Sequence, residues 1–99
     1  MADSNSPVIL SGAKTVTTAG TAVALGARNV KAITITANIA NTGVIYVGGT
    51  DILSTTNEGL QPGDQLYLEA GEGQVINLAD LYINSSVDAE GVAYYAIKA

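Results

Sequence analysis

The side chains that could do chemistry are few. The chain has no His and no Cys, which removes the commonest general base, the strongest nucleophile and the preferred zinc ligands together. Ser and Thr are plentiful, but no imidazole is present to activate them. One spacing, Ser11-Gly12-Ala13-Lys14, matches the Ser-x-x-Lys pair of β-lactamase-like enzymes. That chemistry needs a helical turn to bring Lys beneath Ser. Here the four residues lie between a flexible segment and a strand, with Gly12 among them, and they read as a chance match. Carboxylate pairs can hydrolyse glycosides, but such clefts are usually lined by large rings, and Trp and Phe are absent. No enzymatic activity is expected.

Metal binding has slightly more to work with. Asp88-Ala89-Glu90-Gly91 places two carboxylates one residue apart before a Gly, a fragment of an oxygen-ligand calcium loop. Asp51, Glu58 and Asp64 form a second acidic group. Both read as solvated turns, and no metal or cofactor is expected. Gly48-Gly49 and Gly71-Glu72-Gly73 are not followed by a helix that could cap a phosphate. The five tyrosines, Tyr46, Tyr67, Tyr82, Tyr94 and Tyr95, all fall in apolar runs. Alternation along a strand puts Tyr94 and Tyr95 on opposite faces, so one of them is expected at a rim or an interface.

The charge balance narrows the partners. Nine acidic residues stand against the four cations Lys14, Arg28, Lys31 and Lys98, for a net charge of −5. That sign opposes binding to a phosphate backbone, so nucleic acid is not an expected partner. No apolar run approaches the roughly 20 residues of a membrane-spanning helix, and no membrane partner is expected. The opening Met1-Ala2-Asp3-Ser4-Asn5-Ser6-Pro7 lacks a cationic region followed by an apolar stretch, so no secretory signal is expected.

The elements that must position these residues read as strands. Ten Thr and nine Ile favour extended backbone, because a branched Cβ packs well on a pleated surface. The clearest strand runs from Val30 to Ala37, with Ile33, Ile35 and Ala37 on one face and Thr34 and Thr36 on the other. Val44-Ile45-Tyr46-Val47 is continuously apolar and is expected at the centre of a sheet with both faces covered. Residues 50–64 are the longest irregular stretch, and Pro62-Gly63 within them predicts a tight turn. Asn77-Leu78-Ala79-Asp80-Leu81 supports a single helical turn at most. About seven strands spaced near ten residues apart predict an all-β fold, an antiparallel β-sandwich or jelly roll.

The domain reading is a flexible N-terminal arm over residues 1–13 and a single β-sandwich domain over residues 14–99. Val8-Ile9-Leu10 is the apolar point of that arm. It is either a first edge strand or a hook for a capsid or subunit contact. The high mean hydropathy of so lightly charged a chain predicts exposed aliphatic surface, and so a homo-oligomer or a large partner.

Several blocks carry a family resemblance. They are Lys14-Thr15-Val16-Thr17-Thr18-Ala19-Gly20-Thr21-Ala22-Val23-Ala24-Leu25, Val30-Lys31-Ala32-Ile33-Thr34-Ile35-Thr36-Ala37 and Asn41-Thr42-Gly43-Val44-Ile45-Tyr46-Val47-Gly48. Leu60-Gln61-Pro62-Gly63-Asp64, Asp80-Leu81-Tyr82-Ile83 and Gly91-Val92-Ala93-Tyr94-Tyr95 follow in the same order. Together they resemble short tailed-phage virion proteins of the head-decoration (cement) and head-fibre kind. The resemblance implies a structural protein on the outer surface of the head, made in the host cytoplasm. It also implies that the major capsid protein is the partner and that the oligomer is a trimer. The alternative is a receptor- or carbohydrate-binding module of a phage tail or fibre. No binding residue carries over, and residues 1–13 lie outside the resemblance.

Overall fold

The computed structural model describes residues 8–50, 52 and 59–99. The chain is all-β, built of two antiparallel sheets. In chain order the strands are β1 (Ile9–Val16), β2 (Val23–Ala24), β3 (Asn29–Ala37), β4 (Ile45–Gly48), β5 (Gln65–Glu69), β6 (Ile76–Asn77), β7 (Tyr82–Ser85) and β8 (Glu90–Lys98). A 3-10 turn, Leu78–Asp80, precedes β7 and is capped by the Asn77 side chain, which accepts from the Ala79 N–H at 2.9 Å. The larger sheet runs β1-β8-β3-β5, with β6 also on β3; the smaller runs β2-β7-β4.

The arm boundary placed after residue 13 falls inside a strand. β1 pairs with β8 over its whole length, from Ile9 opposite Ile97 to Val16 opposite Glu90. Ser11, Gly12 and Ala13 have the composition of a linker, but a strand from the far end of the chain supplies the bulk that they lack. Residues 1–7 of the expected arm lie outside the described residues.

β3 follows its predicted periodicity. Ile33, Ile35 and Ala37 are buried, while Thr34 and Thr36 are half-exposed. The pairing with β8 shifts register between Val30 and Ala32, and this bulge at Lys31 lets Val30 join Ile33 and Ile35 in the core. One apolar cluster draws on both sheets: Val16, Val30, Ile33, Ile35 and Val92 from the larger, Ile45 and Ile83 from the smaller, with Leu25, Leu78 and Leu81 from connections. Burying each such Val, Leu or Ile is worth about 1.5–3 kcal/mol.

β4 was expected at the centre of a sheet and lies at an edge, because β7 takes the central position. Its apolar character answers to the segment that follows it. Leu60 bridges Ile45 through both backbone bonds, 3.0 and 2.7 Å, and buried Ile52 packs beside Gly48. The Pro62-Gly63 turn forms as predicted. Asp64 N–H donates to Gln61 C=O at 2.9 Å, and Gly63 takes the positive φ of 87° that the turn requires. The buried polar side chains Asn41, Asn84 and Ser85 are all hydrogen-bonded, as burial demands.

Candidate interaction face

The five tyrosines sit in strands, and β8 separates its two. Tyr94 points inward and packs against the core cluster, whereas Tyr95 is 65% exposed on the opposite face. Register places Tyr95 in a row with three neighbours. Ser11 of β1 lies on one side, Thr34 of β3 on the other, and Tyr67 of β5 beyond Thr34. The next row is Ile9, Ile97, Ala32 and Glu69; the row on the other side is Ala13, Ala93, Thr36 and Gln65. Tyr95 and Tyr67 therefore stand two strand spacings apart, about 9.5 Å. Between them lies a shallow hollow of about 140 Å³ lined by Ile9, Ala32, Thr34, Ile97 and both rings.

This outer face carries no charge across β1, β8 and the paired outward positions of β3. Charged groups appear only at the β5 rim, where Lys31, Glu69 and Glu72 border a second cleft that shares Tyr67. Of the six exposed large apolar side chains among the described residues, Ile9, Tyr67 and Tyr95 belong to the face and Val8 immediately precedes it. A contiguous exposed patch of this kind marks an interaction surface. What it can do chemically is bury area and stack: it offers rings, methyl groups, hydroxyls and one amide, with the Glu69 carboxylate at its β5 rim.

The triplet Val8, Ile9 and Leu10 is divided by the pleat. Ile9 lies on the outer face at 63% exposure, Val8 is 53% exposed, and Leu10 turns inward against the core. Two of the three are free to make a contact, and the third holds β1 in place. The wider face escaped the sequence reading because its rows are assembled from four strands that are distant in the chain. The uncharged outward positions Ile9, Ser11, Ala13 and Thr15, matched by Ala93, Tyr95 and Ile97, were its available signal.

Ser11 and Lys14 both lie in β1, three residues apart, on opposite faces of the strand. At the rise of a strand they are about 10 Å apart along the backbone, and no helical turn joins them. The Asp88–Glu90 pair is divided as well. Asp88 Oδ1 accepts the Ala19 N–H at 2.7 Å. Glu90 Oε2 accepts the Thr42 N–H at 2.7 Å and the Thr42 hydroxyl at 2.9 Å, and Oε1 accepts the Gly43 N–H at 2.8 Å. The Thr42 N–H, joined by Gly43 and the Thr42 hydroxyl, holds the Glu90 carboxyl below its ordinary pKa against the opposing effect of burial. Both carboxylates therefore tie loops to β8 and its preceding turn. Asp64 closes its own turn by accepting from Gln61 N–H at 3.0 Å; Asp51 and Glu58 lie outside the described residues. Among the described residues no three acidic groups converge on one point.

Comparison with family models, curated proteins and solved structures finds no match for this chain.

Proposed function

We propose that this chain is a structural protein of a tailed-phage particle, a β-sandwich or jelly-roll module seated on the outer surface of the head. The observation that carries the reading is the outer face of the larger sheet, uncharged across β1, β8 and the paired outward positions of β3, with Ile9, Tyr67 and Tyr95 exposed on it. Such a face suits burial against a protein lattice. The blocks between residues 14 and 95 that resemble virion proteins support that location, and the net charge of −5 disfavours contact with the packaged genome. The partner is the major capsid protein of the same particle, and the working form is a homo-oligomer, a trimer in the assembly that the resemblance implies. Each copy placed over a junction of shell subunits adds buried area that must be lost before those subunits separate. Summed over many equivalent sites, a modest gain at each resists the outward pressure of packed DNA.

The test is binding of the purified protein to heads that lack it, followed by electron cryo-microscopy and heat challenge. Regular density on the head, and raised heat resistance lost on Tyr95→Glu, are the expected results. Density confined to the tail overturns the reading.

The hollow between Tyr67 and Tyr95 favours one alternative, a receptor- or carbohydrate-binding module of a tail or fibre, because rings spaced across a shallow groove can stack on a sugar. Saturable binding on a glycan array, abolished by Tyr67→Ala, together with no binding to heads, would select it.

A further inference from the structure

Every open sheet has two edges, and proteins blunt edges that are not used for pairing by shortness, charge, proline or a covering segment. Among the described residues, three of the four edges are blunted. β2 is two residues long. β4 is four residues long, and Leu60 occupies the outward N–H and C=O of Ile45. β5 is five residues long, ends in Glu69 and follows directly on the Pro62-Gly63 turn. β1 differs: it has eight residues, ILSGAKTV, with no proline, no acidic group and Lys14 as its one charge.

The backbone of β1 shows which groups are open. Lys98 N–H donates to Val8 C=O and Ala89 N–H to Val16 C=O, both at 2.9 Å. Antiparallel strands alternate, so Val8, Leu10, Gly12, Lys14 and Val16 direct their N–H and C=O groups toward β8 and its preceding turn. Ile9, Ser11, Ala13 and Thr15 direct theirs the other way, to the free edge. Among the described residues no strand pairs with that edge.

We propose that the free edge of β1 pairs with the same edge of a second copy, antiparallel and centred on Gly12. In that register Ile9 lies opposite Thr15 of the second copy and Ser11 opposite Ala13, so all four outward residues of each copy exchange both bonds with their partners. Gly12 meets Gly12 at the narrow, non-hydrogen-bonded position, where Cα atoms approach to about 4.5 Å and the absence of a side chain removes any clash. Lys14 falls beside Leu10 of the second copy, which gives its aliphatic stem a partner. The two Lys14 residues are then four positions apart, about 13 Å, beyond the screening length of physiological salt. Moving the centre toward Lys14 brings the two cations together. The register that satisfies the backbone is thus also the one that separates the charges.

The junction preserves the outer face as well. Ile9, Ser11, Ala13 and Thr15 of the two copies interleave without a charged residue, so the patch runs unbroken across the two-fold axis. A pairing of like with like closes at two copies, a form of the free protein distinct from the threefold assembly on a particle that the resemblance implies. It concerns the free protein, and it holds or fails independently of where that protein sits on a particle.

Light scattering coupled to size exclusion tests it on the full chain at about 100 µM, high enough to populate a small interface. The expected mass is that of two chains. Ala13→Pro removes an N–H that faces away from β8 and costs the single chain no ladder bond; it is expected to give the mass of one chain with an unchanged circular dichroism spectrum. The chain has no Cys, so an equimolar mixture of Ser11→Cys and Ala13→Cys chains gives a second readout. Directly opposite positions lie about 5.5 Å apart, within disulfide range, and mild oxidation is expected to cross-link the mixture well above either variant alone. If Ala13→Pro fails to fold, that cross-linking pattern decides. A wild-type protein of one-chain mass overturns the proposal, as does a trimer unaffected by Ala13→Pro, or cross-linking no better in the mixture than in either variant.

Discussion

Gly12 and Tyr94 face each other across β1 and β8, and a Cβ at residue 12 would lie 2.6 Å from the Tyr94 hydroxyl oxygen and 2.7 Å from Cζ. The ring occupies the volume that the glycine leaves, so a residue that weakens a strand by itself becomes a fitted partner of its cross-strand neighbour. Tyr94 packs in turn against the core cluster. The pair is how a segment with the composition of a linker is held as the edge of the larger sheet.

Gly12→Ala is therefore expected to destabilise the protein by about 1–3 kcal/mol, the cost of overpacking. With Tyr94→Ala already in place the sign reverses, because the space is empty and Ala is favoured over Gly inside a strand by roughly 0.5–1 kcal/mol. Urea unfolding of the two single variants and the double variant measures the coupling. Additive effects would show that the ring does not sense residue 12.

Gly91→Ala is expected to be the more damaging glycine substitution. The Cβ would run into the Lys14 carbonyl oxygen, a backbone atom that cannot swing aside as a ring can. Gly91 C=O also accepts from Asn38 N–H at 3.1 Å and from Asn41 Nδ2 at 2.9 Å, so relief would displace three segments. A loss above about 3 kcal/mol is expected, at the severe end of overpacking. Thermal melting of both variants ranks them, and an Ala at 91 tolerated better than one at 12 would contradict this account.

How far the fold could be read from the residues depended on where its causes lie. The β3 alternation was plain because Ile33, Ile35, Thr34 and Thr36 each carry their own burial preference. The opposition of Tyr94 and Tyr95 followed from the pleat alone, but which ring faces outward is set by pairing with β1 and β3. The edge-strand reading of Val8-Ile9-Leu10 holds for Ile9 and Leu10, but the continuation through Ser11, Gly12 and Ala13 was hidden because its bulk is supplied by Tyr94. The edge position of β4 was hidden because an apolar run looks the same whether strands or a later segment cover it. The candidate face is a property of register among β1, β8, β3 and β5, and no single stretch of chain contains it. The turn chemistry around Glu90 was legible, whereas its partners Thr42 and Gly43 lie on a distant loop.

Ala89 is the one non-glycine residue with positive φ, 63°, among the described residues. The left-handed conformation costs an L residue with a Cβ about 1–2 kcal/mol, and glycine avoids that cost while losing roughly 0.5–1 kcal/mol in backbone entropy. Ala89→Gly is expected to stabilise by about 0.5–1 kcal/mol net, a rise in Tm of a few degrees for a domain of this size. A lower Tm would mean that the Ala89 methyl group makes a contact worth more than the strain.

The pH dependence follows from Glu90. Its carboxylate accepts from Thr42 N–H, Thr42 hydroxyl and Gly43 N–H, and the Thr42 N–H is the main cause of its lowered pKa. A carboxyl whose folded pKa lies below its unfolded value binds its proton less tightly when folded. Its contribution is complete above the ordinary Glu value of about 4.3 and declines as pH falls through the lower folded value. Glu90→Gln keeps the shape and removes the charge that strengthens these bonds. The variant is expected to melt below wild type at neutral pH, with the gap closing progressively below about pH 4. Because Glu90 fastens the 42–43 loop to the start of β8, hydrogen exchange at Thr42 and Gly43 is expected to quicken in the variant while the β3 core stays protected. A melting gap that stays constant from pH 7 to pH 3 would show that the charge at Glu90 does not hold this loop.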